Sequence, residues 1–386
     1  MSAPRILILT ASYGSGHNGA AAAVDLAFGA AGAETRIVDH FRDLVHPRFD
    51  RWSRRLYDLV LRRAPALWGF AYWLGDQMSA SSRLTFDVSR LGSAKLARLL
   101  DAERFDGVVC THPTPAAALG VLRARGRRTP PWAIVFSDFA AHRQWVHASA
   151  DAHYVPAEAI RRQIIARGIP AARVAATGIP VRREFGEAMD RTGARRALGL
   201  DPGLPVVLAM AGTFSRFGRL ETVARVLGDL RVPLQALVVT GADRAVATRL
   251  GGMVGGTRGR IRILGYADNV RQLMAAADVL VTKAGGLSLA EALAAELPVI
   301  CFGSLPGHEA RNAAFLVSAG AALAARTAPE LGRMLRSSLG DPGVLAGLRA
   351  ATRAVRRPDA SREIVERFLA AAVGGTRPEP AGYRER

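Results

Sequence analysis

The amino-acid sequence predicts an α/β protein of two doubly wound units, each a parallel β-sheet covered by helices on both faces. Its 386 residues exceed the roughly 100–200 that one ordinary domain uses. Continuous apolar strands recur at helix-length intervals, the pattern of a sheet buried on both sides. The series stops at a Gly/Pro break, Thr177-Gly178-Ile179-Pro180-Val181-Arg182, and then begins again.

The first series opens with Arg5-Ile6-Leu7-Ile8-Leu9-Thr10, followed by a glycine loop and an alanine-rich helix. Further strands are expected near Glu34 to Val38, Gly107 to Cys110, Trp132 to Phe136 and Ala152 to Val155. The second series starts at Val206 to Met210, which runs into Ala211-Gly212-Thr213. It continues through Gln235 to Thr240, Arg260 to Leu264, Asp278 to Thr282 and Leu297 to Phe302. The expected domains are residues 1–178 and 179–354. Residues 355–386 are expected to form a C-terminal helix that crosses back, with a frayed tail from about Gly374. Two such units joined by a short hinge predict a cleft between the carboxyl ends of both sheets, where ligands of doubly wound folds bind. Chemistry is therefore sought in the loops that follow strands.

An apolar share of 49% suits a globular chain. No run approaches the roughly 18–20 apolar residues of a membrane span. The N-terminal stretch leads into the glycine loop without the apolar core or cleavage site of a signal peptide, so a cytoplasmic protein is expected. Cys110 and Cys301 lie far apart beside hydrophobic runs and predict buried, reduced thiols. The net charge of +19 admits an anionic membrane surface, nucleic acid, or a bias toward arginine codons. Lys95 and Lys283 are the only lysines, which makes codon bias part of the cause. The charge acts all the same, because an anionic leaflet attracts each nearby basic side chain by about 1 kcal/mol.

Gly14-Ser15-Gly16-His17-Asn18-Gly19 satisfies G-x-G-x-x-G between a strand and a helix, with Asp39 about 20 residues on. By spacing this is a dinucleotide fingerprint, and NAD(P) binding follows from it as one reading. His17 argues the other way, since it sets a bulky ring where backbone should approach a pyrophosphate. On the second reading the loop frames an acceptor hydroxyl. The positive end of the helix disfavours imidazolium and leaves His17 a neutral general base near pH 7. A plain polar residue at a helix start is the third.

Val279-Leu280-Val281-Thr282-Lys283-Ala284-Gly285-Gly286-Leu287-Ser288-Leu289-Ala290-Glu291 predicts a buried strand, a tight turn and a helix. Gly285 and Gly286 let backbone N–H groups face an anion at the helix start, and Ser288 lies in the first turn. Glu291 is placed to accept both hydroxyls of a ribose. In a chain that almost always uses arginine, Lys283 beside this turn suits a compact charge on a phosphate. Pro306 and Gly307 predict a turn into a further helix, with Glu309 and Asn312 one turn apart to meet sugar hydroxyls and a diphosphate. Tyr266, after another strand, offers a wall for a base. An ordinary βα turn with a solvated glutamate remains the bland alternative.

Between Arg51 and Gly75 lie Trp52, Trp68 and Trp73, three of the five tryptophans, interleaved with Arg51, Arg54, Arg55, Arg62 and Arg63. Rings at headgroup depth and guanidinium groups on phosphates suit an interfacial helix. The alternatives are an amphipathic helix packed on its own sheet, or single-stranded nucleic acid. No RNA-binding module accompanies the stretch, so no nucleic-acid partner is expected. The histidines show no H-E-x-x-H and no paired cysteine spacing, so no metal or other cofactor is expected.

These segments together resemble the monogalactosyldiacylglycerol synthase and processive diacylglycerol glucosyltransferase family, inverting enzymes of GT-B fold and glycosyltransferase family 28 type. The likeness spans about residues 4 to 370. It rests on Ser12-Tyr13-Gly14-Ser15-Gly16-His17, Cys110-Thr111-His112-Pro113-Thr114-Pro115 and Ser137-Asp138-Phe139 with His142 and Trp145-Val146-His147. Asp151, Tyr154-Val155, Thr177 to Val181, Lys283 to Glu291 and Pro306 to Asn312 complete it. The resemblance implies an acceptor lipid, diacylglycerol, at a membrane-facing first domain and UDP-glucose or UDP-galactose in the second. It implies His17 as base, with Asp138 and His142 lining the cleft as further catalytic residues. Gly16, Gly212 and Tyr266 join the donor set, in which Glu291 takes the ribose and Glu309 and Asn312 the hexose. The implied protein sits peripherally on an anionic membrane surface, the inner face of the cell membrane. An undecaprenyl-linked acceptor is the alternative within the class, and an NAD(P)-dependent oxidoreductase the alternative outside it. Plant members have a more glycine-rich first loop than this one with Ser15, which leaves galactose and glucose open.

Overall fold

A computed structural model describes residues 2–77, 91–212, 219–257 and 259–373. The expected frayed tail lies outside them. The chain separates into two compact units, Met1–Arg182 with Asp359–Arg386, and Arg183–Pro358.

The first unit contains β1 (Arg5–Thr10), α1 (Ser15–Ala30), β2 (Glu34–Asp39), a π-helical turn (His40–Val45), α2 (Pro47–Arg63), α3 (Pro65–Gln77), α4 (Ser93–Ala102), β3 (Gly107–Cys110) and α5 (Pro113–Ala124). It continues with β4 (Trp132–Val135), β5 (Ala152–Val155), α6 (Glu158–Ala166) and β6 (Val174–Ala176), and takes back the last helix, Ala360–Val373. All six strands pair in parallel in the order β2-β1-β3-β4-β5-β6. The period of two in β1 divides its side chains between two cores. Leu7 and Leu9 pack with Trp132, Phe136 and Leu119 on one face. Ile6 and Ile8 pack with Val24, Phe28 and Phe368 on the other. The strand order reverses direction between β1 and β3, and such switch points are where doubly wound sheets bind ligands.

The last helix closes on the sheet through Phe368, and Gly107 is what admits it. A Cβ at Gly107 would lie 2.5 Å from Phe368 Cε1 and 2.6 Å from Cζ. Gly107→Ala is therefore expected to push the helix outward and cost about 1–3 kcal/mol of stability. Urea unfolding followed by tryptophan fluorescence checks it.

The second unit contains α7 (Arg191–Ala197), β7 (Val206–Met210), α8 (Leu220–Asp229), β8 (Gln235–Val239), α9 (Arg244–Val254), β9 (Ile261–Leu264), α10 (Val270–Ala276) and β10 (Val279–Thr282). Then follow α11 (Gly286–Ala294), β11 (Val299–Phe302), α12 (His308–Ser318), β12 (Ala322–Ala325), α13 (Ala328–Gly340) and α14 (Pro342–Val355). Its sheet is also parallel, in the order β12-β11-β10-β7-β8-β9, with the switch between β7 and β10. Asp278 pins the opposite end of this switch. Its carboxylate accepts from Arg191 Nη1 at 2.6 Å, Arg195 Nη2 at 2.6 Å and the Val206 amide at 2.8 Å. One carboxylate thus ties α7 and β7 to β10.

Every strand expected from the sequence is present. The strands it missed, β6 and β12, are short and alanine-rich, and alanine carries little strand signal.

Candidate active site

In the first unit the chain leaves β1 through Gly14, whose φ of 153° and ψ of 149° suit only glycine. The turn starts α1 immediately, with Gly16 and His17 in its first turn. His17 Nδ1 lies 3.0 Å from the Thr111 carbonyl, which follows β3, and 2.8 Å from Ser137 Oγ, which follows β4. The histidine therefore bridges the switch point. A carbonyl has no hydrogen to give, so Nδ1 carries the proton and Nε2 is the basic nitrogen of the neutral ring. His112 stands edge-on to His17 with centroids 4.6 Å apart, and Trp145 lies 5.9 Å away. His112 Nδ1 accepts from the Thr114 amide at 3.1 Å and caps α5. Burial, and then the nearness of two further imidazoles, His17 and His40, hold its pKa well below the usual histidine range.

The acidic residue of the dinucleotide fingerprint has another task. Asp39 is buried, and its Oδ1 accepts from the Phe41 and Arg42 amides at 3.1 and 3.0 Å, capping the π-helical turn. Its Oδ2 accepts from Ser12 Oγ. Ser12 Oγ in turn accepts from Asn18 Nδ2 at 2.9 Å, and Asn18 Oδ1 accepts from Thr10 Oγ1 at 2.9 Å. With its lone pairs drawn into this chain, Asp39 is a loop anchor and not a ribose ligand, which counts against the NAD(P) reading.

His142 also differs from expectation. It is buried, its Nδ1 accepts from the Gln144 amide at 3.2 Å, and its Nε2 bonds the Tyr72 carbonyl at 3.0 Å. With both nitrogens engaged, it latches α3 to this loop. Asp138 is half-buried, next to Ser137 in the chain.

In the second unit, Gly212 and the run Lys283 to Gly286 follow β7 and β10 and so flank the switch. The left-handed residue of the turn is Ala284, with φ of 68°, not either glycine. Gly285 has an ordinary φ of −64°, and among the described residues no atom would lie within 4 Å of a Cβ there. The N-cap of α11 is Gly285, which has no side chain to bond its first amides, and those amides present the positive end of the helix. Ser288 and Glu291 occupy its first two turns, both half-buried.

Glu309 and Asn312, expected at the sugar, point inward. Glu309 is 1% exposed and accepts from Lys283 Nζ through one oxygen and from the Leu305 amide, at 2.8 Å, through the other. Asn312 is 0% exposed and donates to the Ala284 carbonyl at 3.1 Å. Both therefore tie the loop after β11 to the turn after β10. Asn312 holds the strained residue of that turn, a conformation costing about 1–2 kcal/mol for alanine. Pro306 is exposed, and Gly307 is the N-cap of α12. Tyr266, 80% exposed, follows β9 at the far edge of the sheet.

Two doubly wound units with chemistry gathered at strand ends define a GT-B glycosyltransferase fold. Acinetobacter baumannii MurG shares it at a TM-score of 0.63 and 16% identity, over 95% of this chain and 99% of that one. Anabaena HepE in complex with UDP does so at 0.58 and 14%, over 95% of this chain and 100% of that one. Residues 17–181 match the monogalactosyldiacylglycerol (MGDG) synthase family, and residues 220–341 the glycosyltransferase family 28 C-terminal domain. A processive diacylglycerol beta-glucosyltransferase of Bacillus cytotoxicus is 29% identical over 367 residues, 95% of this chain and 93% of the relative. The chain is a glycosyltransferase, similar over 95% of its length to processive diacylglycerol beta-glucosyltransferases and, over residues 17–181, to the MGDG synthase family.

Proposed function

We propose that the protein transfers a hexose from UDP-glucose or UDP-galactose to diacylglycerol with inversion, giving a β-glycosyl-diacylglycerol. The observation that carries this is His17, at the switch point of the unit that matches MGDG synthase, in the tautomer that puts its basic nitrogen at Nε2. His17 takes the proton from the glycerol hydroxyl, whose oxygen attacks the anomeric carbon on the face opposite UDP. The second unit holds the donor. The uncapped start of α11 and Lys283 stabilise the departing diphosphate, and Glu291 takes the ribose hydroxyls. Among the described residues no three His, Cys, Asp or Glu side chains are grouped to hold a metal ion. The chemistry proposed here uses none.

The membrane surface is met by α2 and α3. Trp52, Leu56 and Leu59 on α2 and Leu67, Phe70, Trp73 and Leu74 on α3 are exposed, and α3 has no buried residue. Arg51, Arg55 and Arg63 are exposed on α2. Rings of this kind beside guanidinium groups suit the interface of an anionic bilayer. Among the described residues no helix is long and apolar enough to cross a membrane. The protein on this reading sits peripherally on the inner face of the cell membrane, with no nucleic-acid partner.

Purified protein incubated with labelled UDP-glucose or UDP-galactose and phosphatidylglycerol vesicles containing diacylglycerol provides the test. A β-linked glycolipid is expected, formed equally in EDTA and more slowly on zwitterionic vesicles. An undecaprenyl-linked acceptor in competition should not suppress it. Product from neither donor on these vesicles would remove the assignment. Changing Trp52, Phe70 and Trp73 together to alanine should weaken vesicle binding at least about tenfold with UDP affinity unchanged.

A further inference from the structure

We infer that Ser137 is a positioning residue for the transfer reaction, acting through His17 Nδ1. The inference rests on the reading of His17 as the base. Ser137 is buried at the end of β4 with Oγ 2.8 Å from Nδ1, and the Thr111 carbonyl lies 3.0 Å from the same nitrogen. Only one proton arrangement satisfies both contacts. Were Ser137 to donate to an unprotonated Nδ1, that nitrogen would face the Thr111 carbonyl lone pair to lone pair. With Nδ1 protonated, its hydrogen is shared between the carbonyl and the serine oxygen, and both contacts attract.

Two oxygens on one N–H restrain the ring more than one does. The shared hydrogen fixes the tautomer and also the rotation of the imidazole about its Cβ–Cγ bond. Both oxygens bind more strongly once Nε2 has taken a proton and the ring is cationic. Ser137 therefore raises the basicity of His17 and steadies the imidazolium formed during transfer. The two rings that meet it do neither. His112 meets it edge-on and, held far below the usual histidine range, stays neutral beside it. Trp145 offers only its ring, the start of α1 disfavours a cation, and Asp138 comes one residue later along β4's exit. His40, on the π-helical turn, acts on His112, and burial lowers its own pKa to about 4.

Loss of one of two oxygens should weaken the base without abolishing it. Ser137→Ala is expected to lower kcat about tenfold with donor KM and UDP affinity unchanged. Removing a partner of the protonated ring lowers the pKa of His17, so the acid limb of kcat/KM should move to lower pH. Ser137→Thr, which keeps the hydroxyl, should restore both rate and limb. A purely structural role would lower stability and leave the limb in place. A Ser137→Ala enzyme with the wild-type rate and limb, or one slowed with its limb unmoved, overturns the inference. Nitrogen NMR of 15N-histidine-labelled wild-type protein, assigned with His17→Gln, is an independent readout. Protonated Nδ1 is expected, and an Nε2–H tautomer contradicts the assignment. If His17→Ala keeps full activity, the base reading itself fails. If His17→Ala is inactive and Ser137→Ala behaves as wild type, only the present inference fails.

Discussion

His17→Ala should slow transfer by about a thousandfold, within the range that a positioned general base contributes, while UDP binds as before. The size of the loss follows from the chemistry of the acceptor. An alkyl hydroxyl is too weak an acid to ionise near neutral pH, so its oxygen gains nucleophilicity only as a base removes the proton during attack. Nε2 of His17 is the basic nitrogen of the neutral ring, because the Thr111 carbonyl keeps the proton on Nδ1. Lys283, Glu291 and the start of α11, proposed to hold the UDP, lie in the second unit, so loss of the His17 ring should not alter UDP affinity. Calorimetric titration with UDP beside single-turnover kinetics on vesicles separates the two effects. A mutant that turns over at the wild-type rate would remove the base. A mutant that also loses UDP affinity would mean that His17 serves donor binding. Asp138 is the control: if it were the base, Asp138→Asn would show the thousandfold loss and His17→Ala only a small one.

Much of this was legible in the sequence, because strands buried on both faces are runs of Val, Ile and Leu that little else produces. Arg5 to Thr10 and Val279 to Thr282 are of that kind, and the glycines after them mark the turns that carry the site. What each glycine does was less legible. The residue with positive φ in the second turn is Ala284, which no propensity would select, held there by a hydrogen bond from Asn312, 28 residues away along the chain. Direction was not legible either. Glu309 and Asn312 were correctly placed one helical turn apart, but spacing along a helix does not say which neighbour the shared face meets. Here it meets the turn after β10 and not solvent. Asp39 has the separation of a ribose ligand, yet a π-helical turn begins beside it and takes one oxygen, and Ser12 takes the other. The bridge from His17 to Thr111 and Ser137 joins residues 94 and 120 positions apart, and only the strand order brings them together.

Lys283→Ala is expected to destabilise the second unit more than Glu309→Ala does, and the difference tells a loop tie from a sugar ligand. Lys283 is 15% exposed and Glu309 only 1%. Removing the lysine strands a buried carboxylate with a single amide donor, and breaking a buried pair costs about 3–5 kcal/mol. Removing the glutamate strands an ammonium on a long stem that can turn toward water, at about 1–2 kcal/mol. Thermal unfolding should therefore rank Lys283→Ala below Glu309→Ala, and both below wild type. Binding carries the second half of the test. As a tie, Glu309 shapes the whole turn from Lys283 to Gly286, so its loss should weaken UDP and UDP-hexose by the same factor, about tenfold. As a ligand of the hexose it would leave UDP untouched and weaken only the sugar nucleotide. Asn312→Ala should follow the same equal-loss pattern, because without its bond to the Ala284 carbonyl the left-handed alanine has less to hold it, and the amides at the start of α11 lose their fixed aim. Unequal losses in either mutant would return these residues to the sugar.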